Sequence, residues 1–341
     1  MDDRSKVDEV LARYNVDAHV INVVRGASIT RYELKIGDKS RAVDVKKYEV
    51  ELQMALEVRS LRIQLPVEGK AVVGIEVPNK ERKYFNVTSV GKVDKVSVPV
   101  GKSIDGEDIL VSLDKLPHLL IAGTTGSGKS MCIDSMLYYL IKNYDPSDVR
   151  LMLIDPKIVE MCIYNNERHL LTPVMVDMGR AELALNWLES EVNRRYKVMS
   201  DLGCRDIDGY NKISSEKLYR IFVVIDEYAD FVSYNVKFFN MTIARIAQIS
   251  RAAGVCMVIA TQRPSTDVLP GLIRANIPSR IALSVASAVD SRVILDEHGA
   301  EKLLGNGDMI YKQQGKQSER LQGYYVSEDD IRRLVSVNKM E

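Results

Sequence analysis

The stretch whose residue types and spacing most clearly indicate a chemical role is GTTGSGKS, which runs from Gly123 to Ser130. It matches the pattern G-x-x-x-x-G-K-[ST] in full, follows the apolar run HLLIA and precedes a segment with helical spacing. Glycines let backbone N–H groups turn inward around phosphate oxygens, and the N-terminus of the helix adds partial positive charge. The candidate nucleotide-binding residues are Gly123, Thr124, Thr125, Gly126, Ser127, Gly128, Lys129 and Ser130.

Two of these side chains have separate predicted roles. Lys129 would reach the β- and γ-phosphates of ATP, and the hydroxyl of Ser130 would hold Mg²⁺. The alternative is a glycine-rich turn that carries a surface lysine, which the strand–loop–helix context disfavours. We therefore expect ATP and Mg²⁺ as ligands.

A pair of carboxylates follows another apolar strand, in the segment RIFVVIDEYAD (220–230). Asp226 is predicted to bind the metal through water, and Glu227 is predicted to be the general base for the attacking water. Solvated acids at the end of a strand are the alternative interpretation. The phosphate loop about a hundred residues earlier favours hydrolysis.

Polar residues also end two further predicted strands. VCMVIATQ ends in Gln262, which would lie beside the Asp226 strand and sense the γ-phosphate. Because a polar residue ends most strands, a plain strand end stays open as the alternative. LIDPK (153–157) places Asp155 and Lys157 at the same sheet edge, where a strand that simply ends at a proline fits equally well.

The elements that must position these residues predict two units. Residues 1–94 alternate helical and strand patterns, as in a small α+β domain. In residues 95–341, short apolar strands alternate with amphipathic helices, which indicates an α/β domain with a mainly parallel sheet covered on both faces. The polar, glycine-bearing stretch 90–109 sets the boundary near residue 95. The helical stripe around Trp187 predicts a core position for that side chain.

Composition limits the classes of function. The 47 basic and 47 acidic residues cancel, so any contact with nucleic acid must be local. Four scattered cysteines without a C-x-x-C pair indicate neither a disulfide framework nor a zinc site. No apolar run approaches the roughly 18–20 residues of a membrane helix, so we expect a cytoplasmic chain without membrane contact of its own.

Beyond these motifs, the chain closely resembles the FtsK/SpoIIIE family of DNA translocases over residues 7–335. The resemblance rests on PHLLIAGTTGSGKS, LIDPK, RRYKVMSDLGCRDIDGYN, VIDEYAD, IATQRPSTDVLPGLIRANIPSRIA and DSRVILDEHGAEKLLGNGDMIY. GASITRYELKI and VGIEVPNK resemble the α domain of the family. The resemblance implies a RecA-like P-loop ATPase motor behind a small α domain, assembled as a hexameric ring around double-stranded DNA.

The resemblance also implies roles for several arginines. Arg251, in SRAAG, matches the position of an arginine that completes the ATP site of the neighbouring subunit, and an exposed helix arginine without this role is the alternative. Arg263, Arg274 and Arg292 match DNA-contacting positions, although each fits a structural ion pair as well. Ala288 stands where family members commonly carry a lysine, which removes one candidate pore cation. Basic residues of the segment 311–326, Arg320 among them, are expected on a solvated hairpin.

The competing functions come from different classes. The first is an ATP-driven DNA translocase in chromosome or mobile-element transport, and the second is a related secretion or conjugation coupling ATPase that moves a polypeptide or nucleoprotein. A third is an ATP-binding assembly platform, which the complete set of hydrolytic residues disfavours. The family usually has membrane helices before these domains and a winged-helix domain after them, and we expect neither within this sequence.

Overall fold

The computed structural model describes residues 2–67 and 69–338. The helices are α1 (Asp3–Arg13), α2 (Ala42–Lys47), α3 (Glu49–Leu56), α4 (Lys129–Asn143), α5 (Met178–Asp201), α6 (Ile207–Ile213), α7 (Tyr228–Ile249), α8 (Gly271–Asn276), α9 (Ala288–Leu295) and α10 (Glu328–Val337). The strands are β1 (Ala18–Arg25), β2 (Ile29–Ile36), β3 (Arg62–Gln64), β4 (Val73–Pro78), β5 (Phe85–Asn86), β6 (Ser97–Ser103), β7 (Asp108–Ser112), β8 (His118–Ala122), β9 (Val149–Ile154), β10 (Arg220–Ile225), β11 (Val255–Thr261), β12 (Ser279–Leu283), β13 (Asp308–Lys312), β14 (Glu319–Gln322) and β15 (Tyr324–Tyr325). No helix in this described part of the chain is long and apolar enough to cross a membrane.

The N-terminal elements form a small antiparallel sheet covered by helices. The strand order is β1-β2-β4-β3, and every neighbouring pair is antiparallel. Val7 and Leu11 of α1 and Leu52 of α3 are fully buried against Leu34 and Ile75 of the sheet. The predicted α+β character of this region is confirmed.

The second sheet has nine strands in the order β7-β6-β14-β13-β12-β8-β11-β10-β9. Strands β12, β8, β11, β10 and β9 are parallel to one another, and the other four strands join through antiparallel pairs. One face packs against α4 and α10, and the other packs against α5, α7, α8 and α9. The mainly parallel α/β domain is therefore confirmed, and its central strands are apolar because both of their faces are covered.

The polar stretch 90–109, where the sequence places the boundary between the two units, contains β6 and the beginning of β7 of the large sheet. Valine at positions 96, 98 and 100 follows the period of two that a strand requires, which the glycines and charged residues around it obscure. A Cβ on Gly101 would lie 2.9 Å from the backbone oxygen of Gln322, so the close approach of β14 requires glycine there. The boundary at residues 94 and 95 stays a prediction, although Val87 and Val90 already pack in the larger core.

Trp187 is not in the core. Helix α5 buries Leu185, Leu188 and Val192, whereas Trp187 is 43% exposed and Leu183, on the same helix, is 70% exposed. The predicted helix is present, but a neighbouring face of it carries the buried stripe.

Arg320 is buried, not solvated, although the predicted hairpin is present as β13 and β14. Its guanidinium donates to Asp308 on β13 at 2.9 Å and to Glu76 of the small sheet at 2.9 Å. Glu76 also accepts from Arg62 at 3.0 Å, so four charged side chains compensate one another between the two sheets. Paired, hydrogen-bonded charges of this kind are costly to break singly.

The partly buried carboxyl of Asp134, on α4, has an unusual ionisation. Burial, together with the charges of Glu160 and Asp226, raises the pKa of Asp134 to about 7, against the opposing hydrogen bond from Tyr164. An unfolded aspartate has a pKa of about 3.9, so the folded chain holds a proton between about pH 4 and pH 7 that the unfolded chain releases. This group therefore reduces stability as the pH rises through that range.

We expect Asp134→Asn to remove this loss. The asparagine oxygen can still accept from Tyr164, so the free energy of unfolding near pH 8 should rise by roughly 2–4 kcal/mol relative to the parent chain. Urea unfolding between about pH 5 and pH 8 measures it, with the exposed Asp94→Asn as control. A parallel pH dependence in Asp134→Asn and the parent would contradict the assignment.

Candidate nucleotide-binding and hydrolysis site

The parallel strands bring their carboxyl ends to one edge of the large sheet. Thr261 at the end of β11 lies level with Ala122 at the end of β8, and Ile225 of β10 lies level with Ile154 of β9. The segments that follow these strands must therefore meet at this edge. They carry most of the residues that the sequence singles out.

The loop between β8 and α4 has the form of a phosphate cradle. Gly126 and Gly128 have φ angles of 78° and 106°, and α4 begins directly at Lys129. A Cβ on Gly126 would meet no atom within 4 Å, so the loop faces open space there. The buried hydroxyl of Ser127 has no hydrogen-bond partner within the described residues. An open cradle of backbone donors with an unsatisfied hydroxyl fits a bound triphosphate.

Lys129 and Asp226 form a buried ion pair at the mouth of this cradle. Both side chains are less than 5% exposed, and the lysine ammonium donates to Oδ1 of Asp226. The half-buried hydroxyl of Ser130 follows on the first turn of α4. A hydroxyl and a carboxylate beside a phosphate loop are a fitting donor set for Mg²⁺.

Glu227 is held by three donors. Its carboxylate accepts from the hydroxyl of Thr261 at 2.9 Å, from Nζ of Lys157 at 3.1 Å and from the backbone N–H of Gln262 at 3.3 Å. The residue is 2% exposed and has a φ of 45°, a left-handed conformation that is uncommon outside glycine. The backbone strain at this position is of the kind found at functional sites.

Asp155 and Lys157 are connected to Glu227 and its three donors, which we call the Glu227 cluster. The sequence does not reveal this connection. The fully buried carboxylate of Asp155 accepts backbone N–H groups from residues 157, 159, 160 and 161. This fixes the loop that carries Lys157. Burial alone would lower the pKa of Lys157, but the hydrogen bond and charge of Glu227 raise it above its usual value.

Gln262 joins the phosphate loop to the Glu227 cluster. Its side-chain oxygen accepts from the hydroxyl of Thr125 at 3.0 Å, while its backbone N–H donates to Glu227. The neighbour relation between β10 and β11, expected from the sequence, explains this position. A change in the phosphate loop therefore has a direct route to the carboxylate.

Arg251 lies apart from this site. It is exposed in the turn that precedes β11, whereas Gln262 follows the same strand. A strand of seven residues spans roughly 20 Å, so Arg251 is at the opposite end of the sheet from its own phosphate loop. No hydrogen bond or ion pair holds its guanidinium among the described residues.

The three candidate DNA-contacting arginines have different surroundings. Arg274 donates to the backbone oxygen of Leu269 at 3.2 Å and to Asp296 at 3.1 Å, so the alternative structural ion pair is present, and its DNA contact stays a prediction. Arg263, after β11, and Arg292, on α9, are exposed and have no ion-pair partner within the described part of the chain. Both belong to segments that leave the carboxyl edge of the sheet.

A chain of hydrogen bonds connects the phosphate loop to the small N-terminal unit. The N–H of Gly307 donates to the oxygen of Ser127 at 2.8 Å, and the side chain of Gln322 donates to the oxygen of Asn306 at 2.9 Å. Gln322 in turn accepts from the hydroxyl of Ser28, in the small unit. The phosphate loop thus rests on a second loop that the small unit contacts.

Comparisons with known proteins agree with this architecture. The DNA translocase FtsK of Haemophilus influenzae is 41% identical, over 97% of this chain and 69% of that protein. The DNA translocase FtsK of Caldanaerobacter subterraneus subsp. tengcongensis is 43% identical and the DNA translocase SftA of Bacillus subtilis is 42% identical, each over 98% of this chain. The chain spans 48% and 36% of the lengths of these last two relatives.

Solved structures show the same fold. The pCW3 conjugation coupling protein TcpA has a TM-score of 0.71 at 25% identity, over 99% of both chains. The type VII secretion ATPase EccC of Thermomonospora curvata has a TM-score of 0.63 at 22% identity, over 74% of this chain and 32% of that one. The domain is accordingly a RecA-like P-loop ATPase fold.

Family models match both units. The model of the FtsK alpha domain matches residues 1–79, and the model of the FtsK/SpoIIIE family matches residues 88–217. With relatives above 40% identity along nearly all of its length, the chain belongs to the FtsK/SpoIIIE family.

Proposed function

We propose that this chain is an ATP-driven double-stranded DNA translocase that works as a hexameric ring, in chromosome or mobile-element DNA transport. The observation that carries the proposal is the meeting of Lys129, Asp226 and Glu227 at one sheet edge, with the exposed Arg251 at the other. The names of the relatives, DNA translocase, support DNA as the transported polymer.

Each residue of the site has a defined task in hydrolysis. The backbone N–H groups of the phosphate loop and Lys129 bind and neutralise the triphosphate of ATP. Ser130 and Asp226 would hold Mg²⁺, which supplies charge compensation for the phosphate oxygens when it is bound. Glu227 accepts the proton of the attacking water, and Gln262 relates the state of the phosphate loop to that carboxylate. The TcpA structure contains ATPγS, which supports ATP as the nucleotide.

Arg251 makes the site depend on assembly. Since it lies roughly 20 Å along β11 from its own phosphate loop, it can only serve the site of another subunit. A cation that arrives from outside stabilises the charge that builds up on the γ-phosphate. A ring of subunits would in this way hydrolyse ATP only where two copies meet.

A conjugation or secretion coupling ATPase is the second candidate. The likeness to TcpA over 99% of both chains favours it, because that protein is a coupling protein for conjugation. The two functions differ in their stimulant: a translocase on duplex DNA responds to DNA length, and an ATPase that moves a polypeptide or nucleoprotein responds to that cargo instead.

We expect duplex DNA to stimulate ATP turnover, increasingly with DNA length, at protein concentrations that span ring assembly. Lys129→Ala should abolish turnover with and without DNA, because the triphosphate loses its principal cation. The matched control is Lys142→Ala, at the other end of the same helix α4. Turnover by Lys129→Ala at the parental rate would refute the site, and turnover indifferent to DNA would favour the second candidate.

Arg251→Ala alone should lose at least about a hundredfold in turnover, as expected for removal of a transition-state cation. Mixed with Lys129→Ala, it should regain partial turnover, because its intact phosphate loops then face intact arginines. The measurement is turnover against mixing ratio at constant total protein, with Arg245→Ala, on helix α7, as the control. Failure to recover turnover at every ratio would contradict a shared site.

Arg263→Ala and Arg292→Ala should each weaken duplex binding uniformly across sequences. Because each substitution removes one cation from the phosphate backbone, the slope of log affinity against log salt should fall by about 1. Binding of a random-sequence duplex at several salt concentrations measures this, with the exposed Arg333→Ala on α10 as control. An unchanged salt slope in both variants would remove these arginines from the DNA-contacting surface.

A further inference from the structure

The carboxylate of Glu227 is fully engaged in the conformation that the structure describes. Oε1 accepts the hydroxyl of Thr261, Oε2 accepts the ammonium of Lys157, and the N–H of Gln262 lies 3.3 Å from both oxygens. With its side chain 3% exposed, the carboxylate offers little acceptor capacity to a water molecule. A general base, however, must lie within hydrogen-bond reach of the water that it deprotonates. In this conformation Glu227 is therefore not ready to act as the base.

Lys157, the cationic partner of Glu227, is on a loop whose backbone conformation is fixed by hydrogen bonds to Asp155. Asp155 holds the loop through four backbone N–H groups. Within it, Ile158 has a φ of 60°, a left-handed conformation that is a genuine outlier for a β-branched residue. Such strain persists where the neighbouring contacts over-determine the backbone, and it marks functional segments. The ammonium of Lys157 is thereby presented to Glu227, although the lysine side chain is 38% exposed.

The same carboxylate is connected to a candidate DNA contact. The backbone N–H of Arg263 donates to the hydroxyl of Thr261 at 3.0 Å, and that hydroxyl donates to Glu227 at 2.9 Å. The segment 261–263 therefore supplies two of the three donors to Glu227 and carries an exposed guanidinium at its end. The side chain of Thr261 therefore connects the backbone of Arg263 directly to the carboxylate of Glu227, so a displacement of Arg263 would move a donor of that carboxylate.

We propose that Lys157 is a positioning residue that holds Glu227 in a resting pose, and that DNA bound at Arg263 shifts the segment 261–263 and opens this ion pair. This inference rests on the proposed function, since it assigns the means by which DNA would stimulate hydrolysis. In the resting pose Glu227 is withheld from water. When the pair opens, Oε2 becomes available to accept a proton, and Lys157 turns to solvent.

The test compares ATP turnover with and without duplex DNA in the parent chain and in Lys157→Ala. We expect the DNA-free turnover of the variant to rise about tenfold, as for loss of a hydrogen bond between charged groups, and the ratio of DNA-stimulated to DNA-free turnover to fall accordingly. Lys157→Gln should behave similarly, whereas Lys157→Arg should keep the low DNA-free rate because it preserves the ion pair. Val159→Ala, in the same loop, should match the parent, since its side chain is 73% exposed.

The double variant Lys157→Ala with Glu227→Gln should have no turnover, because the added hydrolysis passes through Glu227. Turnover of Lys157→Ala that falls with and without DNA would overturn the inference, because Lys157 would then assist the reaction itself. An unchanged DNA-free rate in both Lys157→Ala and Lys157→Gln, with thermal melting like that of the parent, would overturn it too. A parent chain that DNA does not stimulate would instead count against the proposed function, and the DNA-free rates of the variants would still decide the role of Lys157.

Discussion

The parallel alignment of the central strands is the constraint on which the site depends. Because β8, β11, β10 and β9 run in one direction and in level register, everything that follows them gathers at one edge. The loop after β8 is the one proposed to bind phosphate, and Asp226 after β10 comes close enough to pair with Lys129. The Lys157–Glu227 ion pair likewise joins the ends of two adjacent strands, β9 and β10. Chain segments that are distant in sequence become neighbours without any of them having to be long.

The part of this arrangement that can be predicted from sequence is the part with local signals. The phosphate loop has a fixed spacing of glycines, lysine and serine, and the central strands are apolar runs with polar ends. Gln262 can be placed beside Asp226 because strand order in such sheets is limited. In contrast, β6 and β7 carry only a weak alternation between glycines and charges, and these two strands are not predicted from the sequence.

Ion pairs between distant polar residues have no signal in the sequence. Arg320 has the local pattern of a solvated residue in a charged hairpin, and nothing near it in the chain indicates that Glu76, 244 residues away, neutralises it. Lys157 is predicted at the correct edge, but its pairing with Glu227 depends on the strained loop that Asp155 holds. Long-range charge compensation has no periodicity that a single sequence displays. The catalytic role of Arg251 and the DNA contacts of Arg263, Arg274 and Arg292 likewise come from resemblance and stay predictions.

The buried charges between the two sheets make the larger unit depend on the smaller one. The sequence divides the chain near residue 95, and the family models divide it between residues 79 and 88. A polypeptide that began at the predicted boundary would nevertheless lack Glu76, leaving Arg320 with Asp308 alone, and would lack the hydroxyl of Ser28 that donates to Gln322. The smaller unit is in this respect a structural subunit of the ATPase domain, and genetic exchange between relatives would have to transfer both units together or rebuild the charges where they meet.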